Sequence, residues 1–301
     1  MEHRIALDRR ANLKFAQGLM RAFAGAVIFG LPILMTQEMW SLPLHMSSRR
    51  LALLIALFFP FLVALSWHVG FEETFSLTDD ALDALVAFLV GFVASGVVLL
   101  LLGQLEPDEG VREFLGKVSL QAVPAGIGAL LAQSQFGQVD ADARTRGGRE
   151  EYFSELFIMA VGALFLAFNV APTEEVLIIS QRLGGALTLL LALATLLTMH
   201  ALVYGAAFRG QPVDHAHAPW WSVFARYTVV GYAISILLCA FLLWTFGRLD
   251  GMPVPVAMAA VVVLAFPAAV GAASARVVLW GRGWVRQAPP PSLPSRNAIP
   301  P

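Results

Sequence analysis

Apolar segments about as long as a membrane is thick constrain this chain more than any other feature. Runs such as Leu51–Val69 and Leu183–Ala207 contain no Asp, Glu, Lys or Arg, and about 20 mostly apolar residues cross a bilayer core as a helix. Of the 301 residues, 58% are hydrophobic and 14% charged, against about 25% charged in soluble domains. The sequence therefore predicts an all-α polytopic membrane helix bundle.

We expect eight spans. The fourth is the least apolar, because Lys117, Gln121 and Pro124 interrupt it. The predicted spans are Gly18–Thr36, Leu51–Val69, Leu82–Leu102, Phe114–Leu131, Tyr152–Val170, Leu183–Ala207, Ser222–Phe246 and Val254–Trp280. The pair Gly184-Gly185 predicts a bend before the sixth span, since residues 173–208 would form a helix too long for one crossing.

Hydrophilic stretches divide the chain into five parts. Residues 1–16 form a basic tail, 17–133 a first membrane unit of four helices, and 134–151 a linker. Residues 152–281 form a second unit of four helices, and 282–301 a proline-rich tail. We expect both tails and the linker to be cytoplasmic.

The two membrane units share chemically distinctive residues in the same order. The separations drift between 132 and 143 residues, with the shifts in loops. The pairs are Gly25 with Gly162, Thr36 with Thr173, Glu38 with Glu175, Arg50 with Arg182, His68 with His200, and Pro124 with Pro267. Four helices per unit is an even number, so the pattern predicts a parallel 4+4 internal duplication about an axis along the membrane normal.

The distribution of Lys and Arg predicts the orientation. Loops that retain positive charge are cytoplasmic, and 14 of the 20 cationic residues fall on the side that carries both termini. The other six are Arg49, Arg50, Arg112, Lys117, Arg182 and Arg248. We therefore expect both termini to be cytoplasmic and the first interhelical segment to face outward.

Two acidic clusters each follow the first helix of a unit: Thr36-Gln37-Glu38 and Thr173-Glu174-Glu175. One interpretation is a helix start, where acidic side chains favour the positive end of the helix dipole and Pro172 occupies the first turn. The other is an ion-binding site or pore mouth, because carboxylate and hydroxyl oxygens suit hard cations and acidic rings select for them. Gln37 stands where the second unit has Glu174, so such a site is asymmetric in charge.

Arg50 and Arg182 follow these clusters. They are either interfacial anchors or charge partners of the carboxylates, since Glu175 and Arg182 lie seven residues apart on one helical face. His68 and His200 close helices at the inner side, as interfacial histidines or as a pH-sensing pair.

Other patterns are less informative about function. Gly91-x-x-x-Ser95 and Gly231-x-x-x-Ser235 predict close helix packing between the two units or in a homo-oligomer. The loop residues Asp214, His215 and His217 resemble a metal-binding tract only weakly, and the metal is left open.

The sequence contains no catalytic or nucleotide-binding motif. The net charge is -1, which gives no case for nucleic-acid binding. The single cysteine, Cys239, excludes an internal disulfide. We expect no enzyme activity and no cofactor, and we expect the lipid bilayer and a cation as partners.

Three stretches carry a resemblance: Arg21-Ala22 through Gly30-Leu31-Pro32, Glu38-Met39-Trp40, and Ala171-Pro172-Thr173-Glu174-Glu175. In these the chain resembles a family of bacterial polytopic integral membrane proteins known as a domain of unknown function. The resemblance implies a multi-pass protein of the bacterial inner (cytoplasmic) membrane. It implies no activity and no site residue.

Three functional hypotheses follow, in order of preference. The first is a channel or transporter for a small cation, with Glu38, Glu174 and Glu175 at an acidic outer vestibule. The alternative is a membrane sensor or assembly protein that acts through its cytoplasmic loops, with an unrecognised membrane enzyme third. Transport predicts that the carboxylates face a shared polar cavity, whereas assembly predicts a dry interior with carboxylates facing solvent or headgroups.

Overall fold

The structure is a computed structural model and describes residues 2–69, 77–106, 108–136, 148–207 and 220–285. These residues form helices, with no strand among them. The helices are α1 (Glu2–Leu34), α2 (Gln37–His45), α3 (Ser48–Val69), α4 (Leu77–Leu101), α5 (Val111–Phe136), α6 (Gly148–Val170), α7 (Glu174–Arg182), α8 (Gly185–Ala207), α9 (Trp220–Val223), a π-helical segment (Phe224–Val229), α10 (Val230–Thr245) and α11 (Val254–Val285).

The prediction of eight spans in a helical bundle is confirmed: eight helical stretches are long and apolar enough to cross a membrane. The predicted break at Gly184-Gly185 is also present, since α7 ends at Arg182 and α8 begins at Gly185. Several boundaries differ from the prediction. Residues 2–16 belong to α1, and the segment between the first two spans, for which no helix was predicted, forms the short helix α2.

The helix predicted to be the least apolar span lies at the centre of the first unit. α5 has the least apolar of the eight spans, and it is also the most deeply buried. It packs against α1, α2, α3 and α4. A helix surrounded by protein does not need lipid-facing apolar side chains, and for this reason Gln121 lies within it fully buried.

α11 has the same place in the second unit, where it packs against α6, α7, α8 and α10. Equivalent helices therefore have equivalent partners. This arrangement supports the internal duplication, which stays a prediction.

Glycines allow the central helices to approach their neighbours closely. A Cβ on Gly128 of α5 would lie 2.6 Å from the Gly25 carbonyl oxygen of α1, and a Cβ on Gly271 of α11 would overlap the Gly162 backbone of α6. Gly91, expected to pack between the two units or in a homo-oligomer, packs within its own unit: a Cβ there would lie 2.8 Å from the Gly126 nitrogen of α5. These contacts are backbone-to-backbone crossings of the kind small residues permit in membranes.

The two units touch mainly through α1 with α6, α5 with α6, and α3 with α10, and these contacts are sparse beside those within each unit. Phe61 and Phe157 pack across this boundary with ring centroids 5.1 Å apart, and Phe29 and Phe165 with centroids 5.6 Å apart. α8 lies at the periphery, with most of its apolar span exposed to the surroundings.

Candidate functional site: a cleft between the two units

A cleft of about 830 Å³ opens at the end of the bundle where α2 and α7 lie. We call this end the cleft face and the other end the opposite face. Both units contribute to its walls. The lining residues are Glu38, Ser41, Leu42, His45, Met46, Ser47, Arg49, Arg50 and Leu53 from the first unit, and Glu174, Trp244, Phe246, Gly247, Arg248 and Asp250 from the second.

The two threonines of the acidic clusters donate their hydroxyl hydrogen bonds to backbone carbonyls. Thr36 donates its hydroxyl to the Ile33 carbonyl at 2.8 Å, and Thr173 donates to the Val170 carbonyl at 2.9 Å. Each residue precedes a short helix as its N-cap, yet neither side chain caps that helix. Both hydroxyls instead satisfy the end of the preceding span, and neither residue lines the cleft.

Glu38 and Glu174 are the carboxylates that meet at the cleft, although the sequence pairs Glu38 with Glu175. Glu38 is half-buried, and Glu174 and Glu175 are exposed. α7 begins at Glu174, with Thr173 as N-cap and Pro172 outside the helix rather than in its first turn. Consecutive side chains on a helix point about 100° apart, and Glu175, one position after Glu174, is not among the lining residues.

Arg50 bridges the two units. Its guanidinium donates two hydrogen bonds to Asp250, from Nη1 at 2.6 Å and from Nη2 at 2.9 Å, and lies 4.9 Å from the centre of the Trp244 ring. This bidentate contact holds the pKa of Asp250 below its ordinary value of 3.8. Glu38 and Glu175 are thus not the partners of Arg50, and Asp250 escaped sequence analysis because 200 residues separate the pair.

The turn that carries Asp250 is built on glycines with positive φ. Gly247 has φ 73° and Gly251 φ 72°, a conformation that side chains rarely adopt. Arg248 of the same turn donates Nη2 to the Pro172 carbonyl. The turn therefore joins the entrance of α7 to the wall of the cleft.

Arg182 does not join the site. It is exposed at the end of α7 and does not line the cleft. The ion pairs within the described ranges do not include one between Arg182 and Glu175.

The two histidines lie away from the cleft and have different surroundings. His68 Nδ1 is 2.7 Å from the Ala64 carbonyl oxygen, and its ring stacks on Phe157 of the other unit at 4.7 Å. His200 Nδ1 is 3.0 Å from Thr228 Oγ1 in the π-helical segment, with its ring near Tyr204.

A second polar cluster, which sequence analysis missed, lies toward the opposite face. Arg276 Nε of α11 contacts Glu155 Oε2 of α6 at 3.0 Å, with the two side chains only 7% and 6% exposed. The Arg276 guanidinium also lies 4.0 Å from the centre of the Tyr227 ring. The signal in the sequence is a charged residue near the end of each span. Arg276 was counted only among the cations on the side of the termini, and Glu155 was not singled out.

Asp214, His215, His217, the acidic residues Glu72 and Glu73, and most of the linker lie outside the described residues. Within the described ranges, no group of three His, Cys, Asp or Glu side chains is arranged to hold a metal ion.

Comparison with protein families shows to which family the chain belongs. A model of the DUF2391 family of integral membrane proteins matches residues 18–279. The chain belongs to the DUF2391 family. The match includes every described residue of the cleft and of the Glu155–Arg276 cluster. No curated protein and no solved structure matches the chain. This DUF2391 protein is a multi-pass integral membrane protein, and the lipid bilayer is its surroundings.

Proposed function

We propose that this DUF2391 protein transports a small cation and that the cleft is its outer vestibule, with Glu38 and Glu174 as the carboxylates a cation meets first. The location we propose is a bacterial inner membrane, with the cleft face outward and both termini cytoplasmic. The excess of Lys and Arg on the side of the termini supports this orientation.

The observation that carries the proposal is that two carboxylates from corresponding segments of the two units line one cavity. Within the described residues, neither Glu38 nor Glu174 takes part in an ion pair. Carboxylate oxygens are preferred ligands of hard cations, and acidic side chains at a pore mouth concentrate cations.

The basic residues that line the cleft do not simply neutralise the negative charge of Glu38 and Glu174. Arg50 is held by Asp250, and Arg248 donates to the Pro172 carbonyl. Arg49 remains as an exposed cation at the rim. The vestibule we propose is therefore of mixed charge, with two unpaired carboxylates, rather than the uniformly acidic one that the sequence suggests.

A transporter fits this arrangement better than a channel. The cleft lies where the two units meet, and the contacts between the units are sparse. In transporters built from parallel repeats, alternating access comes from the rocking of one half against the other. The Arg50–Asp250 ion pair spans the same boundary and closes one side of the cleft.

The proposal is tested by ion flux in proteoliposomes, screened with Na⁺, K⁺, Ca²⁺ and H⁺. We expect Glu38→Gln with Glu174→Gln to lower cation flux by about tenfold or more, the factor that corresponds to about 1.4 kcal/mol. Glu175→Gln is the matched control, since Glu175 is the neighbouring exposed carboxylate and does not line the cleft. Unchanged flux in the double variant, or an equal loss in the control, removes the cleft from the mechanism.

A further inference from the structure

The Glu155–Arg276 pair is unusual for its place in the fold. Glu155 lies three residues inside the span Tyr152–Val170, and Arg276 one residue before the end of the span Val254–Val277. Both side chains are more than nine-tenths buried. Ionisable groups inside membrane spans are costly and commonly mark ion or proton pathways.

The fold of a unit does not require this pair. With the separations that align the two units, 137 residues for the α1–α6 region and 143 for α5–α11, the first unit has Gly18 and Gln133 in place of Glu155 and Arg276. Both units nevertheless pack a central helix against equivalent neighbours. A buried ion pair is also weak evidence for stability, because desolvation opposes the attraction.

The backbone beside the pair is irregular. Residues Phe224–Val229 form a π-helical segment within an otherwise α-helical span. π-Helical turns are rare and are found mostly at functional sites. This one presents Tyr227 to Arg276 and Thr228 to His200.

Tyr227 gives Arg276 a second partner. The guanidinium lies over the ring at 4.0 Å, where a cation is attracted to the π-face. Arg276 can therefore stay charged inside the protein while Glu155 is neutral. The Arg276 guanidinium thus has a partner whether Glu155 is charged or neutral, and this arrangement suits a carboxylate that gains and loses a proton.

The helices that hold the pair also reach the cleft. Glu174 follows the far end of α6, and Asp250 precedes the far end of α11. Between these ends the two helices cross at Gly162 and Gly271, where their backbones are in contact. A change at the Glu155–Arg276 pair therefore acts on a closely packed helix pair whose other ends flank the vestibule.

We propose that Glu155 is a proton-binding site, loaded from the opposite face, whose protonation breaks its ion pair with Arg276 and couples proton movement to cation transport. The proton comes from a hydronium ion at the opposite face, which loses one O–H bond and is left as water, and it forms an O–H bond on the Glu155 carboxylate. Arg276 keeps its own protons and turns to Tyr227. The coupling part of this proposal rests on the proposed transport function, whereas the proton site itself does not.

The titratable and charged groups around the pair come from several elements. α6 contributes Tyr152, whose hydroxyl donates to the Arg226 carbonyl at 3.0 Å. The π-helical segment contributes Arg226 and Tyr227, and α8 contributes His200 and Tyr204. From the first unit, His68 stacks on Phe157 of α6.

Proton binding is read directly by infrared difference spectroscopy of the full-length protein in lipid, between mildly alkaline and mildly acidic buffer. We expect a C=O stretching band of a buried carboxylic acid to appear on acidification in the wild type and in Glu175→Gln. The band should be absent from Glu155→Gln. Because that variant leaves Arg276 without its carboxylate, the double variant Glu155→Gln with Arg276→Gln serves as a second test that removes both charges.

Flux measurements separate this inference from the proposed function. Glu155→Gln should abolish the pH dependence of cation flux, while Glu38→Gln with Glu174→Gln lowers flux and retains the infrared band. If the wild type shows the infrared band but no cation flux, the transport function and the coupling are overturned and the proton site stands. The inference is overturned if the infrared band persists in both Glu155 variants. It is also overturned if the cation flux of Glu155→Gln has the same pH dependence as that of the wild type.

Discussion

At the scale of single residues, the cleft is lined by a different position of each short helix. α2 begins at Gln37 and α7 at Glu174, in agreement with the separation of 137 residues, yet the carboxylates at the cleft are the second residue of α2 and the first residue of α7. Successive positions on a helix point about 100° apart. The sequence pairing of Glu38 with Glu175 therefore does not tell which glutamate lines the cleft. The acidic cluster was predictable, whereas the carboxylate that lines the cleft was not.

Asp250 gives a prediction at the same scale. Its pKa is lowered by Arg50, so the ion pair contributes stability above the ordinary pKa of 3.8, and this contribution is lost as the pH falls through the lower folded-state value. The contribution is small, because Asp250 is 56% exposed and screened by solvent. Asp250→Asn should remove that part of the acid destabilisation. Thermal unfolding in detergent across this pH range measures it, and a variant with the wild-type acid profile would contradict it.

At the scale of helices, hydropathy identified the spans but not how deeply each is buried. The fourth predicted span is the least apolar, as expected, because Lys117, Gln121 and Pro124 interrupt it, and α5 is also the most buried of the eight. The low hydropathy of this span therefore reflects its protein neighbours. No helix was predicted for α2, because a segment that contains Trp40, Pro43 and His45 suits a membrane–water interface.

The glycine crossings give a prediction for the helix pairs. A Cβ on Gly271 would overlap the Gly162 backbone, and a Cβ on Gly128 would meet the Gly25 carbonyl at 2.6 Å. We expect Gly271→Ala and Gly128→Ala each to destabilise the protein by about 1–3 kcal/mol, the usual cost of overpacking. Thermal stability in detergent measures the effect.

Gly96→Ala is the matched control for these variants. A Cβ at this position in α4 would contact Val118 at an ordinary 3.7 Å. The control should be neutral or slightly stabilising, because alanine favours a helix over glycine. If all three variants behaved alike, the close crossings would not stabilise the helix pairs within each unit. If the Gly128 and Gly271 variants differed greatly from each other, the equivalence of the two units would lose support.

At the scale of the whole molecule, the number of spans and the helical class were predictable from apolar length and composition. The cleft was not, because it depends on contacts between residues as distant in sequence as Arg50 and Asp250. The Glu155–Arg276 pair was missed for the same reason, since 121 residues separate its members. Long-range pairing of charges leaves no periodic signal in the sequence.

Orientation gives a prediction at this scale. The excess of Lys and Arg on one side predicts that both termini are cytoplasmic. A reporter fused after Pro301 should be active only in its cytoplasmic form, and a cysteine placed at Glu174 should react with a membrane-impermeant thiol reagent from outside. A periplasmic signal from the fused reporter would contradict the topology and place the cleft on the inner side.

The most direct test of the account is whether the cleft changes shape between the units during transport. Arg50→Cys and Asp250→Cys, in a background where Cys239 is replaced by Ala, place two thiols across the boundary. A bifunctional thiol reagent is needed to join them, because Cys is much shorter than the Arg side chain it replaces. We predict that the cross-link abolishes cation flux in proteoliposomes, while the unlinked double variant and the singly modified variants retain flux. Full flux in the cross-linked protein would contradict the account.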